Sequence, residues 1–282
     1  MLYIVGTPIG NLGDMSARAQ EVLAEAEVIA CEDTRRTGLL LSNFGIKKKL
    51  ISYHEHNKAQ RKVELLALLR EGKCLALVSD AGMPCISDPG EDLVRACREE
   101  NLPVSVVPGP VAAVSALAVS GFPSQHFYFE GFLPASGKER KERLAELVLL
   151  PCTCILYEAP HRLLRTLVDM EKSGMGERCA ALCRELTKKF EEVIILTVAE
   201  AAAYYRETEP RGEYVVVMEG SGRLLSADSS EGEPDESEKR RQIGELLNAG
   251  KSTKDAAAQL AAAWGLPRKD VYEMVLAEKG RL

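Results

Sequence analysis

The sequence predicts an α/β protein: two α/β domains facing each other across a cleft, followed by a small helical module. Three observations predict it. The first ~120 residues alternate short apolar runs with helical patterns, which implies βαβ crossovers and a largely parallel sheet. Five more strand-like runs follow, and the last three have only one short helical stretch among them, which predicts a mixed sheet. Beyond an acidic stretch without apolar anchors come three short helical patterns.

Met1-Leu2-Tyr3-Ile4-Val5-Gly6 is apolar but has neither a basic leader nor a cleavage signature, so it reads as a first strand and not as a signal peptide. Apolar runs at residues 2–5, 28–31, 50–52, 75–78 and 104–107 supply the strands of the first domain, residues 1–120. Helical periodicity shows at 63–69 and 92–97. The second domain, residues 121–222, opens near Phe122-Pro123, with strands at 127–130, 153–157, 179–183, 192–196 and 214–218 and a short helix at 198–205. Residues 223–238 are rich in acids and serine and read as a flexible linker. Within the last module, residues 239–282, Ser252 reads as an N-cap with Asp255 three residues on, an acidic variant of the capping box. That helix stops at Gly265, and Pro267 starts the next at its first turn. A helix-turn-helix module and a plain helical hairpin both fit this pattern.

Hydrophobic residues make up 46% of the 282 and charged residues 28%, enough for a sizeable core, which excludes a disordered or fibrous chain. No apolar run approaches the ~18 residues of a membrane span, so no membrane partner is expected. The eight cysteines lie mostly in apolar strand-like or helix-like runs, with no CxxC pair and no zinc spacing; reduced thiols in a cytoplasmic protein are expected. The formal net charge is −6, yet Arg35 to Lys73 holds ten Lys/Arg against three Asp/Glu, and Lys239 onward nine against five. Two basic surfaces that meet phosphates, or ordinary solvated helix faces, follow equally from that asymmetry.

Three loops follow strand ends, where open α/β sheets bind ligands. The first, Gly6-Thr7-Pro8-Ile9-Gly10-Asn11-Leu12-Gly13, has G-x3-G-x2-G spacing, and Pro8 lacks the N–H that a phosphate cradle would use. A dinucleotide is therefore disfavoured, and close approach to another ligand or a plain tight turn remains. The second, Ser79-Asp80-Ala81-Gly82-Met83-Pro84-Cys85-Ile86-Ser87-Asp88-Pro89-Gly90, is a rigid loop able to hold a small cofactor through backbone groups, or simply a well-built turn. The third, Val107-Pro108-Gly109-Pro110-Val111-Ala112-Ala113, leaves room beside a ligand or allows a helix to pack tightly.

Together these loops resemble those of the tetrapyrrole-methylase superfamily (class III methyltransferases). Cys31-Glu32-Asp33-Thr34-Arg35-Arg36-Thr37, Ser52-Tyr53-His54-Glu55-His56-Asn57, Tyr157-Glu158-Ala159-Pro160-His161-Arg162 and Arg184-Glu185-Leu186-Thr187-Lys188 narrow the likeness. They look like the 16S rRNA (cytidine-2'-O)-methyltransferase branch, over residues 1 to about 220. Thr7-Pro8-Ile9-Gly10-Asn11-Leu12 departs from the G-x-G-x-G of porphyrin and corrin methylases, which favours the RNA branch.

The resemblance implies S-adenosylmethionine in the interdomain cleft and methyl transfer to the ribose 2'-oxygen of a decoding-centre cytidine in the small ribosomal subunit. It implies a homodimer as well. Thr7, Pro8, Ser79, Asp80, Ala81, Gly82, Pro84, Pro108, Ala112 and Ala113 are then expected at the cofactor from one side, and Tyr157, Gly212 and Glu213 from the other. Arg35, Arg36, Asn57, His161, Arg162, Arg184 and Lys188 are expected at the RNA.

In-line displacement at a sulfonium asks the protein to position two reactants and to help the 2'-hydroxyl lose its proton. His54, His56, Glu158 and Glu185 are the candidates for that proton, with no choice among them. His54-x-His56 lacks a nearby third ligand, and no metal is expected. Two other readings are a corrin or porphyrin methylase, which needs neither basic surface nor terminal module, and a ligand-sensing nucleic-acid regulator. The regulator calls for a strongly basic last helix, whereas Arg268-Lys269-Asp270-Val271-Tyr272-Glu273 is mixed.

Overall fold

Five four-residue apolar runs form the first sheet: β1 (Leu2–Val5), β2 (Val28–Cys31), β3 (Lys49–Ser52), β4 (Leu75–Val78) and β5 (Val104–Val107). In the computed structural model, which describes residues 1–222, 236–248, 251–264, 266 and 268–280, they pair in parallel in the order β3-β2-β4-β1-β5. Side chains alternate between two covered faces. Leu2, Ile4, Ala30, Leu75 and Leu77 pack with Leu65, Leu69, Leu93 and Cys97 of α3 (Lys58–Arg70) and α4 (Glu91–Glu99). Val5, Ile29, Cys31, Ala76 and Val78 meet Ala19, Leu23 and Leu41 of α1 (Ala17–Glu25) and α2 (Thr34–Asn43) on the opposite face.

The second sheet is mixed, as its close-set strands predict. Its order is β6 (Phe127–Phe132), β7 (Thr153–Glu158), β10 (Tyr214–Met218), β8 (Cys179–Arg184) and β9 (Glu192–Thr197). Only β6 and β7 run parallel. One face, with Cys154, Leu156, Leu182 and Val216, packs under α6 (Gly137–Leu149), α7 (Pro160–Met170) and α8 (Val198–Glu207). A π-turn, Glu171–Met175, continues α7. The other face, with Ile155, Ala181, Cys183 and Val215, takes Ala113, Ala116 and Leu117 of α5 (Ala112–Ser120). Although α5 follows a strand of the first sheet, it packs on the second. Its small residues allow the approach, and the packing changes sheets before α5 and not after residue 120.

Both sheets lie in one compact unit, Met1–Gly220, and the rest of the chain forms a second, Ser221–Leu282. In that second unit α9 (Glu236–Asn248), α10 (Thr253–Trp264) and α11 (Arg268–Lys279) surround Ile243, Ala256, Leu260, Val271 and Val275. Ser252 Oγ accepts the Asp255 N–H at 3.2 Å and donates to its carboxylate at 2.6 Å, the expected acidic capping pair. Of the expected linker, residues 223–235 lie outside the described residues, as do Gly265 and Pro267, while Glu236 already opens α9. All eight cysteines are free, four buried and four half-buried.

The ends of β1 and β5 touch backbone to backbone. A Cβ on Gly109 would sit 2.8 Å from Gly6 Cα and 2.9 Å from its carbonyl carbon. Gly109→Ala should therefore cost about 1–3 kcal/mol, the usual range for overpacking. Urea denaturation of the variant checks this, and an unchanged midpoint refutes it.

Candidate active site

The loops after β1, β4 and β5 meet at one edge of the parallel sheet. Thr7 and Gly82 exchange two backbone hydrogen bonds, 2.9 Å from the Thr7 N–H and 3.1 Å from the Gly82 N–H. Each loop also reaches the second sheet's loops. Asn11 N–H donates to Thr187 Oγ1 at 3.1 Å, and Ala113 N–H donates to Tyr157 Oη at 3.2 Å. A Cβ on Gly131 would meet Ser87 Oγ at 2.8 Å. Between the two sets of loops lies a cleft of about 530 Å³. Four of the five non-glycine residues with positive φ among the described residues lie in the loops that flank it, Cys85 and Ser87 in one and Glu185 and Thr187 in the other.

One end of the cleft is acidic. Glu32, Asp80 and Asp88 line it, with Arg36 3.3 Å from Asp80. Burial, reinforced by the Glu32 and Asp80 charges and opposed by the Ser79 hydroxyl, pushes the Asp88 carboxyl up to about 6. Burial and then Asp80 push Glu32 up as well. At the opposite wall Glu185 Oε1 accepts the Glu213 N–H at 2.9 Å and Lys188 Nζ at 3.0 Å, and Lys188 also reaches Glu213 at 2.7 Å. Burial alone would raise the Glu185 carboxyl, but these partners hold it below its ordinary value. Tyr157, edge-on to Phe129 at 5.1 Å and tilted to Phe132 at 5.6 Å, supplies an aromatic wall.

Comparison with known proteins fits this architecture. The family model of tetrapyrrole (corrin/porphyrin) methylases matches residues 1–202, and that of the RsmI C-terminal HTH domain matches residues 234–279. The chain is 45% identical over 278 residues to the ribosomal RNA small subunit methyltransferase I of Synechocystis sp., covering 98% of this chain and 97% of that protein. The chain belongs to the tetrapyrrole methylase family, in its ribosomal RNA small subunit methyltransferase I branch. The protein of that name from Escherichia coli O157:H7 is 44% identical over 281 residues, covering 99% of this chain and 96% of its own length. Among solved structures, cobalt precorrin-4 methyltransferase superposes with a TM-score of 0.60 at 17% identity, over 77% of this chain and 94% of its own. A Thermus thermophilus uroporphyrin-III C-methyltransferase complexed with S-adenosyl homocysteine gives 0.55 at 19%, over 80% and 99%. At those identities the likeness is one of fold.

Of the residues singled out in the sequence, Asp80, Ala81, Gly82, Ala112, Tyr157 and Glu213 line the cleft, as do Glu158, Glu185, Arg36, His161 and Lys188. Thr7, Pro8 and Ser79 are buried behind the wall, and the Thr7 and Gly82 N–H groups are spent on each other. Pro84, Pro108, Ala113 and Gly212 flank the wall without lining it; a Cβ on Gly212 would meet Glu185 at 2.6 Å. Glu158 is buried, and its oxygens accept the Ala159 N–H at 2.9 Å and the Thr166 hydroxyl, with Arg162 at 3.3 Å. That carboxylate holds the start of α7. Arg162 serves the same corner, donating to Leu133 O.

His54 and His56 stand off the cleft wall, edge to face at 6.0 Å, with His56 exposed. Asn57 is committed locally: Oδ1 accepts the His54 N–H at 2.9 Å, and Nδ2 donates to Ser52 O at 3.2 Å. Arg35 clasps Asp33, with Nη2 at 2.9 Å, but is almost fully exposed; Arg184 pairs loosely with Glu192 at 3.6 Å. Most cations of the basic stretch Arg35–Lys73 are ion-paired, as expected of solvated helix faces, the second of the two readings its composition allows. Arg36, Lys62 and Arg70 pair with Asp80, Asp92 and Glu100 from elsewhere in the chain, and among the described residues only Lys47, Lys48 and Lys49 of its cations have no ion pair.

Sequence reasoning missed Glu32 and Asp88 as a pair, because nothing in their spacing shows that β2 and β4 are neighbours. The Asp88 pKa makes a prediction. Below about 4 the carboxyl is protonated whether folded or not; between about 4 and 6 the folded state binds the extra proton, so this group's ionisation lowers stability as pH rises through that window. Carboxyl NMR should place the Asp88 midpoint near 6, and Asp88→Asn should gain stability relative to wild type on going from pH 4 to 7. A midpoint near 4 overturns it.

Proposed function

We propose that the chain transfers a methyl group from S-adenosylmethionine to the ribose 2'-oxygen of a decoding-centre cytidine of 16S rRNA, acting on the small ribosomal subunit in the cytoplasm. The observation that carries this reading is the near full-length identity to ribosomal RNA small subunit methyltransferases I. The cleft's donor set fits the cofactor. Three carboxylates at one end suit a sulfonium cation, and Phe132, Tyr157, Ile86 and Leu186 offer apolar surface for a purine within a volume typical of small-molecule sites. When bound, S-adenosylmethionine supplies a methyl group activated by positive sulfur.

The chain's own residues then position and deprotonate. Tyr157, fixed by the Ala113 N–H, and the Glu185–Lys188–Glu213 cluster hold the wall that the second sheet supplies. The substrate 2'-hydroxyl gives its proton to Asp88 in this reading, a half-buried carboxylate on the cleft wall. Arg36, His161 and Lys188 at the cleft, with exposed Arg35 beside it, face the RNA. Incubation with labelled S-adenosylmethionine and small subunits, followed by nucleoside mass spectrometry, should return 2'-O-methylcytidine; label in any other nucleoside or none overturns the reading. In the same assay Asp80→Ala should weaken cofactor binding. Arg35→Ala should spare it while making the RNA salt dependence shallower by about 1 in log–log slope.

A homodimer is part of this proposal. Val193 and Ile195 on β9 stand in register with Cys183 and Ala181, on the face that α5 covers, yet remain exposed, as do Val114 and Val119 of α5. Such an apolar stripe suits a partner copy. No metal enters the chemistry proposed. Light scattering should give twice the 30.8 kDa chain mass, and Ile195→Lys should return it to one chain; a monomeric wild type refutes the dimer.

A further inference from the structure

A second pocket, of about 260 Å³, lies between α6 and α7. Arg140, Lys141, Arg165 and Lys172 line it against one carboxylate, Asp169. Arg140 is buried and fixed at three nitrogens: Nε donates to Asp169 at 2.9 Å, Nη1 to Pro134 O at 3.0 Å and Nη2 to Thr166 Oγ1 at 2.9 Å. Arg165 Nε stands 3.8 Å from the same Asp169 oxygen, so one negative charge is shared by two guanidinium groups. Among the described residues neither Lys141 nor Lys172 has an ion-pair or hydrogen-bond partner, and both are exposed. Four cations over one anion leave a surplus of three positive charges within one pocket.

The pocket is joined to the cleft by α7. His161 lines the cleft, while Arg165 and Lys172 line the pocket. An offset of four residues keeps His161 and Arg165 on one face of α7. At 1.5 Å per residue Arg165 sits about 6 Å further along it, and Lys172 follows in the π-turn that continues the helix. A polyanion leaving the cleft along that face meets the pocket, and the guanidinium and ammonium donors suit phosphate oxygens.

We propose that the pocket between α6 and α7 binds a backbone phosphate of the RNA whose reacting nucleotide occupies the cleft. The proposal rests on the RNA reading above for its ligand, and on the pocket's own charge for its place. The test is the Lys141→Ala/Lys172→Ala double variant of the full chain, titrated with small ribosomal subunits and with deproteinised 16S rRNA over a range of salt. RNA capture should weaken roughly tenfold, the size of one charge-assisted hydrogen bond. The log–log salt slope should become shallower by about 0.7–0.9, as for one lost phosphate. Cofactor affinity and turnover at saturating RNA should stay as in wild type, and Arg98→Ala, an exposed cation remote in sequence, should leave the slope alone.

An unchanged slope in a wild type that methylates cytidine overturns the pocket alone. Methylation absent from wild type, with the slope still reduced in the variant, overturns the methyl-transfer reading and leaves the pocket standing. A loss confined to whole subunits, with deproteinised RNA captured normally, means that the pocket takes an acidic protein face and overturns the phosphate. Lys141 and Lys172 NMR shifts on adding inorganic phosphate, without any change in RNA slope, mean a small-anion site and also overturn it.

Discussion

The cleft depends on a backbone clasp at the end of β1. Within the parallel sheet β1 lies between β4 and β5. The chain leaving it bonds to the β4 loop through Thr7 and Gly82 and touches the β5 loop through Gly6 and Gly109. One strand end thereby fixes three loops. The same segment runs on to Asn11, which bonds to Thr187 in the second sheet's loop. Left-handed backbone at Cys85, Ser87, Glu185 and Thr187 costs of order 1–3 kcal/mol per residue and persists only where the surroundings over-determine it.

Charge in this molecule is arranged by the fold and not by the order of residues. The cations of Arg35–Lys73 look unbalanced along the chain, yet α2, α3 and α4 set Arg36, Lys62 and Arg70 beside Asp80, Asp92 and Glu100. Exposed pairs of this kind contribute little to stability. Their effect is on the field: they neutralise most of that face outside Lys47–Lys49, while a further surplus of positive charge gathers at the pocket between α6 and α7, and Glu32, Asp80 and Asp88 gather negative charge at one end of the cleft.

Strands were legible in the sequence because each is a short apolar run bounded by polar or glycine–proline punctuation. The runs at 2–5, 28–31, 75–78, 104–107 and 214–218 coincide with β1, β2, β4, β5 and β10. Less legible was α6, whose opening Gly137-Lys138-Glu139-Arg140-Lys141 is so charged that it hides a helix with buried Arg140, Leu144 and Leu147. In the site, the loops were readable from their glycines and prolines, but the division of labour was not. Asp80 and Glu158 look alike as single acids after strands. Both line the cleft, but Asp80 pairs there with Arg36, whereas Glu158 is buried and held by Thr166, Ala159 and Arg162. The partner of Asp80 comes from α2, far back in the chain, whereas those of Glu158 come from the turn and helix that follow it directly.

The buried Glu158 is one member of a hydrogen-bonded network beside the cleft. The Thr166 hydroxyl donates to Glu158 and accepts from Arg140, which is held in turn by Asp169 and Pro134. Buried ions gain little net stability, since desolvation consumes most of the attraction, but breaking such a network by removing one member costs about 3–5 kcal/mol. The arrangement therefore acts on geometry. It ties the end of β7, the first turn of α7 and the start of α6 into one corner, so that His161 on one side and Lys141 and Arg165 on the other cannot drift independently. A purely apolar corner could be as stable, but nothing in it would select this rotation of α7 over a neighbouring one. Directional bonds do, and they carry the register of the cleft wall through to the opposite end of the helix.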